Sequence, residues 1–576
     1  VLKPKNEGPA AYVFPGDDPR LANQAELLRT IQRQGCEVHR ATAPFTVTLK
    51  TKKAASTPSP SESPAASPSP SASPSPTATA AEPRTFPAGS YVVRMDQPYS
   101  RIADAILDHQ YWAPNDPQQD VYDDTGWTMG ELGNLQVVRV TDTRVLTAPM
   151  ERINVEVKAL GGINGSGSVY LINHNADNAL VALRYRLKDV AVETAEEPFD
   201  AAGRKFNRGS FIIRKANADE LRRAAADLEV LVYAVEAAPA VKTHPVKAPR
   251  IALMHTWLST QDEGWWRLAL DQLGVPYAYI STQDVAKEPE LRRKYDVVIF
   301  GPVGTGASAI IKGLPMWGNP LPWKTTPLTP NIGKIDSTDD MRPGLGHTGL
   351  VNLQKFTTEG GLLIGVMDTA ELAVNSGFTP GLSISQSDRL KAIGVVLRSK
   401  VVDAASPIAY GYGDSLPIYS FNGPLFNMSN LASGSGVRQP PPTRTTGRGS
   451  PDDPDVVQGR PAVEAPEIPT AEVWQALPLT DEQRRNGINI IPLAMRPRVV
   501  FRYADNKDLF VSGLLDGGDE IAQRAMVVDI PSGQGHIVLF SNNPMWRGQT
   551  RGSYFLVFNA ILNFDNLGAG RKLDEK

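Results

Sequence analysis

The sequence has 576 residues, a formal net charge of −3, 41% apolar residues and 7% aromatic residues. A chain so close to neutral lacks the basic footprint of a nucleic-acid-binding protein or of a protein held on an anionic membrane. Its single cysteine, Cys36, excludes an intrachain disulfide framework, a thiolate zinc cluster and an iron–sulfur site. No apolar run approaches the ~18 residues of a membrane-spanning helix, and the length predicts about three or four domains.

Near the N-terminus, a low-complexity segment with the sequence TPSPSESPAASPSPSASPSPTATAAEP occupies residues 57–83. Proline alternates there with serine and alanine, so the segment has no apolar face and lacks many backbone donors. We therefore expect neither helix nor strand in it. Whether it separates two domains or interrupts one follows from the pattern on either side of it.

The sequence around this segment is repeated further along the chain. In each copy a short apolar strand leads through an amphipathic helix and a second strand to a Pro-Phe pair, then to the pattern F-x-x-G-S-aromatic-aliphatic-aliphatic and another helix. That last pattern occupies residues 86–93 and 206–213. Residues 200–205 make the connection in the second copy, whereas the first copy uses residues 46–85. The excess, at 54–83, is therefore predicted to be a loop insertion within the first repeat unit.

From Arg250 onward, apolar strands such as RIALMH, YDVVIF and GGLLIGV alternate with helical segments. Strands without polar alternation are buried on both faces, which predicts a parallel sheet between two layers of helices. The sequence DIPSGQG at 529–535 predicts a turn that closes an antiparallel hairpin.

These patterns predict an α/β protein, in which an internally repeated α/β N-terminal region precedes a doubly wound, mostly parallel sheet of the flavodoxin-like type. The predicted units are a first repeat unit at 1–145, a second at 146–240, a linker at 241–249 and an α/β domain at 250–576 with loop insertions at 304–345 and 432–469.

Motifs for catalysis and metal binding are weak in this sequence. None of the seven histidines begins an H-x-x-E or H-E-x-x-H motif, so no zinc site is assigned. The glycine-rich turn GPVGTG at 301–306 follows a strand but lacks the Lys-Ser/Thr of a phosphate-binding loop. No catalytic residue and no metal ligand is predicted.

Several polar and aromatic side chains follow predicted strands of the last domain. Because the carboxyl ends of parallel strands meet at one edge of a sheet, and such folds place their sites there, these side chains form a candidate ligand-binding set. The alternative is that these side chains are loop residues that make their hydrogen bonds within the fold and bind no ligand. The set consists of His255, Asp368, Asn542, Asn543, Trp546 and Arg547.

The strand–helix pattern of the last domain is similar to that of class I glutamine amidotransferases. Those enzymes carry a cysteine nucleophile on a tight turn after a central strand. Here the turn after GGLLIGV holds Met367, Asp368 and Thr369, and Cys36 lies in the other half of the chain. The resemblance implies a glutamine-amidotransferase-like domain without amidotransferase activity.

Three stretches resemble the C-terminal regions of large secreted bacterial zinc carboxypeptidases, relatives of carboxypeptidase A: FPAGSYVVRMDQPYSRIADAILDHQYW, YDDTGWTMGEL and GHIVLFSNNPMWRGQTRGSYFLVFNAIL. The zinc ligands and catalytic glutamate of that family lie in a peptidase domain that this sequence does not contain. The resemblance therefore implies a non-catalytic accessory portion with no cofactor of its own, since zinc is implied only for the absent peptidase domain. Its expected partner is that peptidase domain or its cleaved product.

The same resemblance implies a secreted chain, extracellular or periplasmic. A start at Val1 without a leader agrees with a processed or cut chain. Two alternatives stay open: an extracellular structural or self-assembling surface protein that forms homo-oligomers, and a glycan- or peptide-binding module. The insertion at 304–345 carries Trp317 and Trp323, which suit a contact surface.

Overall fold

The computed structural model describes residues 8–50, 81–111, 127–387, 389–431, 472–487 and 489–573. The predicted insertion at 432–469 lies outside these residues, as does the part of the first insertion up to residue 80. Within the described residues, no helix combines the length and the apolar character needed to span a membrane.

The first repeat unit forms a five-stranded antiparallel sheet with the strand order β6-β1-β5-β2-β7 and a separate hairpin of β3 and β4. In chain order its elements are β1 (Ala11–Phe14), α1 (Leu21–Arg33), β2 (His39–Ala41), β3 (Phe45–Lys50), β4 (Ala81–Phe86), β5 (Tyr91–Arg94), α2 (Ser100–Leu107), α3 (Met129–Leu132), β6 (Val138–Val140) and β7 (Met150–Arg152).

The second repeat unit has the strand order β15-β10-β13-β9-β14-β8, with a hairpin of β11 and β12. Its elements are β8 (Gly162–Gly165), β9 (Val169–Ile172), α4 (Ala179–Arg186), β10 (Val192–Ala195), β11 (Phe199–Ala201), β12 (Arg204–Phe206), β13 (Phe211–Ile213), α5 (Ala218–Asp227), β14 (Leu231–Val235) and β15 (Thr243–Val246).

Corresponding strands occupy corresponding places in the two sheets, because β14-β9-β13-β10-β15 repeats the order β6-β1-β5-β2-β7. The hairpins also correspond: β11 and β12 turn through Ala202 and Gly203, whose φ angles of 51° and 67° suit a tight hairpin turn. In the first unit the hairpin strands flank residues 51–80. The limits of the domains themselves stay a prediction.

One expectation about the low-complexity segment is wrong at its end. Residues 81–83 belong to β4, where Pro83 lies opposite Thr48 of β3. A two-stranded hairpin consists of edges only, so a proline whose missing N–H points outward is tolerated.

The last part of the chain builds one large sheet. Its elements are β16 (Ile251–His255), α6 (Gln261–Gln272), β17 (Tyr277–Ser281), α7 (Thr282–Lys287), α8 (Leu291–Lys294), β18 (Val297–Phe300), α9 (Ala307–Lys312), α10 (Gly346–Thr358), β19 (Leu362–Val366), α11 (Asp368–Asn375), β20 (Leu382–Ser385), β21 (Lys391–Val401), β22 (Ser415–Ser420), β23 (Leu425–Met428), α12 (Asp481–Asn486), β24 (Arg498–Tyr503), α13 (Asn506–Leu509), β25 (Phe510–Asp516), β26 (Ala525–Ser532), β27 (Gly535–Phe540) and α14 (Tyr554–Leu562). Single 3-10 turns lie at Thr143–Thr147, Pro407–Ala409, Leu493–Met495 and Gly518–Glu520.

The α/β class is confirmed, but the sheet is mixed rather than mostly parallel. Strands β17-β16-β18-β19-β27 run parallel, and β26, β24, β21 and β22 continue the sheet with antiparallel pairing. The predicted hairpin of β26 and β27 is present and forms the junction between the two regions. Apolar content reveals burial but not strand direction, which depends on pairing between distant segments.

Alternate residues of the parallel strands enter two separate cores. Leu253 and Ile299 face one core, with Trp266 of α6 and the apolar helix α14, while Met254 and Val298 face the other, against helices α7, α10 and α11. Strands β16, β18 and β19 are therefore buried on both faces, as their unbroken apolar sequences predicted, whereas the edge strand β17 is partly exposed.

Candidate functional site

The carboxyl ends of β16, β18, β19 and β27 meet at one edge of the sheet because these strands run parallel. We call the residues directly following or ending these strands the carboxyl edge. His255 ends β16, Asp368 begins the helix after β19, and Asn542 and Asn543 follow β27. Four of the predicted residues therefore lie at this edge.

His255 is buried at the carboxyl edge and has a partner on each side of its ring. Its Nε2 lies 2.7 Å from Oδ2 of Asp336, and its Nδ1 lies 3.2 Å from the carbonyl oxygen of Thr256. The ring stacks on Tyr279 at a centroid distance of 4.1 Å and meets Trp257 edge to face. Asp336 comes from the insertion at 304–345, so this contact fastens the insertion to the sheet.

Glu263, on helix α6, is fully buried close to this histidine. The Tyr279 hydroxyl donates to its Oε1 at 2.6 Å, and within the described residues its Oε2 has no hydrogen-bond partner. Burial raises the pKa of Glu263, although the Tyr279 hydrogen bond and the nearby His255 oppose that shift. Glu263 is not among the residues predicted from the sequence. The sequence feature that could have pointed to it is an acidic residue three positions before Trp266, on the side of the helix that is buried.

The turn between β19 and α11 has an unusual backbone. Met367 has φ 53° and ψ −114°, a left-handed conformation that costs a non-glycine residue about 1–3 kcal/mol. The Met367 N–H donates to the carbonyl of Phe540 at 2.9 Å, and the Thr369 hydroxyl donates to the carbonyl of Phe300 at 2.6 Å. These bonds to the two adjacent strands hold the turn. A sharp strand–turn–helix connection of this kind presents the nucleophile in hydrolases.

Asp368, the next residue, is used to anchor a loop. Its carboxylate accepts hydrogen bonds from the backbone N–H groups of Val303, at 3.1 Å, and Thr305, at 3.0 Å. Burial, together with the negative charge of nearby Asp262, raises the pKa of Asp368 to about 6 against the opposing hydrogen bonds. The carboxylate thus fixes the loop that leaves β18.

The asparagines after β27 are buried and bonded to other elements. Asn543 Oδ1 accepts from Nε1 of Trp266 at 3.2 Å, which links the last strand to helix α6. Asn542 Nδ2 donates to the carbonyl of Tyr419 at 3.4 Å. Asn543 therefore contacts helix α6 through Trp266, which lies three residues after Glu263 on that helix.

Trp546 and Arg547 pack together at a different place. Trp546 is buried, stacks on Tyr419 at 5.7 Å and meets Trp265 edge to face at 6.3 Å. The Arg547 guanidinium lies 5.1 Å from the centre of the Trp546 ring. The structure thus gathers His255 with Glu263, Tyr279 and Asp336, and places Trp546 and Arg547 in an aromatic cluster beside β22.

Metal binding needs several donor side chains that converge on one point. Across the residues that the structure describes, no group of three or more His, Cys, Asp or Glu side chains is placed to hold a metal ion.

Comparisons with known proteins give structural likenesses only. No protein-family model matches the chain, and no curated protein matches it. Similar solved structures include one described as a ThuA-like protein from Bacteroides uniformis, with 9% identity and a TM-score of 0.26, covering 58% of this chain and 98% of that one. A glutamine amidotransferase from Thermotoga maritima has 11% identity and a TM-score of 0.20, covering 31% of this chain and 62% of that one.

A structure described as a GMP synthase component from Thermoplasma acidophilum has 8% identity and a TM-score of 0.27, covering 54% of this chain and 94% of that one. At TM-scores below 0.5, these likenesses assign neither a fold family nor a function to this chain. The strand order and registers of this chain define its fold.

Proposed function

We propose that residues 250–576 form a doubly wound, glutamine-amidotransferase-like domain that has no nucleophile, and that the chain is the non-catalytic accessory portion of a secreted zinc carboxypeptidase-like protein. The observation that carries the proposal is Met367 in the strained turn after β19. Covalent acyl transfer needs a hydroxyl or thiol at that position, activated by a neighbouring base. A thioether has no proton to lose and is only a weak acceptor.

The surroundings of the turn support this proposal. Both ring nitrogens of His255 have partners, the Asp336 carboxylate and the Thr256 carbonyl, and Asp368 is held by backbone N–H groups. A base must be free to take a proton from its nucleophile, within about 2.6–3.2 Å. Held in these contacts, the two groups fix loops at the edge of the sheet instead of serving the turn as a base.

The stretches that resemble carboxypeptidase C-terminal regions support a common role, because they contact one another. Gly552 N–H donates to the carbonyl of Leu132 at 2.8 Å, and Leu132 shares an apolar cluster with Trp546. The Thr128 hydroxyl donates to Ser512 at 2.7 Å, so the same segment also contacts β25 of the large sheet. The repeat region and the last domain therefore meet through the stretches that carry the resemblance.

Two experiments test the proposal. Purified chain is assayed for hydrolysis of glutamine, p-nitrophenyl esters and C-terminal peptide bonds, beside the variants Glu263→Gln and Glu359→Gln, the second being an exposed control. We expect the same background rate in all three proteins. Turnover by the unmodified chain that Glu263→Gln abolishes and Glu359→Gln retains would contradict the absence of catalysis.

The lineage is tested by the coding sequence upstream of Val1. We expect a peptidase domain with an H-x-x-E zinc pair there. An upstream sequence that encodes no peptidase domain would contradict the accessory role. It would not bear on the proposal that the last domain has no nucleophile.

A second candidate function, a glycan- or peptide-binding module, is favoured by the insertion at 304–345. Trp317 is 82% exposed and Trp323 40% exposed, and aromatic faces of this kind suit sugar rings or apolar peptide side chains. Binding to a glycan and peptide panel that Trp317→Ala abolishes would support it. A panel without any ligand for the unmodified chain would exclude this candidate for the ligands tested.

A further inference from the structure

An open cavity of about 390 Å³ lies between the first repeat unit and the large sheet, and none of the carboxyl-edge residues lines it. Its volume falls within the range of small-molecule sites. One wall is the segment 131–136 and the other is formed by β21 and β22. The lining side chains with polar atoms include Arg20, Glu131, Asn134, Arg398, Lys400 and Ser415.

Arg398 and Lys400 lie on the same face of β21, because alternate residues of a strand point the same way. In the pairing with β22, Arg398 lies opposite Pro417 and Lys400 opposite Ser415, and both of these residues also line the cavity. Further along this face Val396 packs with Leu132 in an apolar cluster. The face is therefore apolar where the repeat unit packs on it and cationic where the cavity opens.

Neither cation has a carboxylate partner within the described part of the chain. Both are partly buried, and no ion pair or side-chain hydrogen bond joins either to another residue. Arg502, directly opposite Lys400 on β24, differs because it lies 3.3 Å from Asp505. Ion pairing is thus available on this sheet, but among the described residues it does not involve Arg398 or Lys400.

Two other charged side chains line the cavity, and each lies close to another ionisable group. Arg20 Nε lies 3.4 Å from Oδ1 of Asp18, and Glu131 Oε1 lies 3.8 Å from Nε2 of His109. Arg398 and Lys400 are therefore the lining cations without a carboxylate partner in the described residues, while Glu131 contributes one negative charge to the same lining. Two like charges held close together at a partly buried site repel each other, and a bound anion would remove that cost.

The opposite wall is held firmly. Asn134 has φ 54°, and its N–H donates to the carbonyl of Glu131 at 2.8 Å. Gly552 approaches it so closely that a Cβ there would lie 2.6 Å from the Asn134 nitrogen. This packing fixes the position of an amide side chain across the cavity from the two cations.

We propose that this cavity binds a small dianion of the phosphate or dicarboxylate class through Arg398 and Lys400. Two cations without a carboxylate partner in the described residues can pair with the two charges of a dianion, and the planar guanidinium of arginine binds carboxylate or phosphate oxygens in pairs. Amide and hydroxyl groups from Asn134 and Ser415 complete a lining that offers both donors and acceptors. Because the two walls belong to different parts of the chain, a bound anion stabilises their contact.

The test is a calorimetric titration of the full chain with inorganic phosphate and with malonate. The double variant Arg398→Gln/Lys400→Gln is compared with the control Lys391→Gln/Lys507→Gln, which removes two exposed charges, one at the start of β21 and one on helix α13. We expect the cavity variant to bind at least about tenfold more weakly and the control to bind as the unmodified chain does. The tighter of the two anions identifies the ligand class. No binding of either anion, or equal loss in both variants, would overturn the proposal.

A footprinting measurement on the unmodified chain keeps the test independent of variant folding. Phenylglyoxal modification of arginines is followed by mass spectrometry with and without the anion that binds. Protection of Arg398, with no change at the exposed Arg33, is expected. Equal modification of Arg398 in both conditions would contradict the assignment of the site.

Discussion

The carboxyl edge and the cavity beside β21 differ in how their charges are matched. At the edge, His255 faces Asp336, and Asp368 accepts from backbone N–H groups. In the cavity, Arg398 and Lys400 have no such partners in the described chain. Hydrogen-bond partners offset part of the cost of burying a charged group, whereas two cations without such partners repel each other until an anion binds. The comparison therefore supports the proposed anion site in the cavity, whereas the edge side chains already have contacts within the chain.

The largest expected effect tests the structural role of the edge. Trp266→Ala removes a fully buried ring and its hydrogen bond to Asn543, and we expect a loss of about 3–5 kcal/mol in the free energy of unfolding. Urea denaturation measures this loss. Trp317→Ala, at an exposed position, is the control and should change stability by less than about 0.5 kcal/mol. Similar losses of unfolding free energy in both variants would contradict the view that the edge stabilises the fold and the exposed insertion does not.

The next effect is the pH dependence contributed by Asp368. Its folded pKa of about 6 lies above the ordinary value of 3.8, so the group favours the folded state most below pH 4 and loses that contribution as pH rises through 6. Asp368→Asn does not titrate. The stability of the unmodified chain minus that of the variant should therefore fall by up to roughly 3 kcal/mol between pH 4 and pH 7.5.

Subtracting the variant cancels other titrating groups, including the buried Asp177 and His174. Denaturant unfolding at several pH values gives the difference. A difference that stays constant, or that grows toward alkaline pH, would show that Asp368 is not a desolvated carboxylate.

A smaller effect concerns the strained turn. Met367→Gly and Met367→Ala both remove the thioether, but only glycine adopts the left-handed conformation at little cost. We expect the glycine variant to be the more stable of the two by about 1 kcal/mol, the reverse of the usual order. Chemical denaturation of the two variants measures it, and an alanine variant that is as stable as the glycine variant would show that the turn is unstrained.

The smallest effect lies in the cavity. In anion-free buffer of low ionic strength, Arg398→Gln/Lys400→Gln should raise the free energy of unfolding by a few tenths of a kcal/mol, because two like charges are removed. Added salt should shrink the gain. The exposed control Lys391→Gln/Lys507→Gln should show no comparable gain. Destabilisation by the cavity variant at low salt would mean that the two cations already have favourable partners.

Local patterns in the sequence predicted much of the fold. The α/β class and the hairpin of β26 and β27 are confirmed, because alternation, apolar runs and glycine turns are properties of neighbouring residues. The order of the antiparallel strands β26, β24, β21 and β22 was not predicted, since pairing between distant segments sets it. The binding set of His255, Asp368, Asn542, Asn543, Trp546 and Arg547 stays a prediction.

Residues that only the structure brings together could not be found in the sequence. Glu263 lies on a helix, Asp336 lies in an irregular insertion, and the two meet His255 through the tertiary fold. The cavity combines residues near positions 20, 131 and 400, which share no local motif. Whether Arg398 and Lys400 have partners depends on which residues pack beside them, and the sequence alone does not show this.

The claim that residue 367 occupies the position of a lost nucleophile has a direct test. In Met367→Cys, the introduced thiol would lie at the start of helix α11, where the helix N-terminus favours the thiolate. Cys36 is the internal reference, because it is buried and burial raises its pKa. The rate of alkylation by iodoacetamide at each thiol is followed by mass spectrometry. We predict that the introduced thiol reacts at least about tenfold faster than Cys36, and a rate equal to that of Cys36 would contradict the claim.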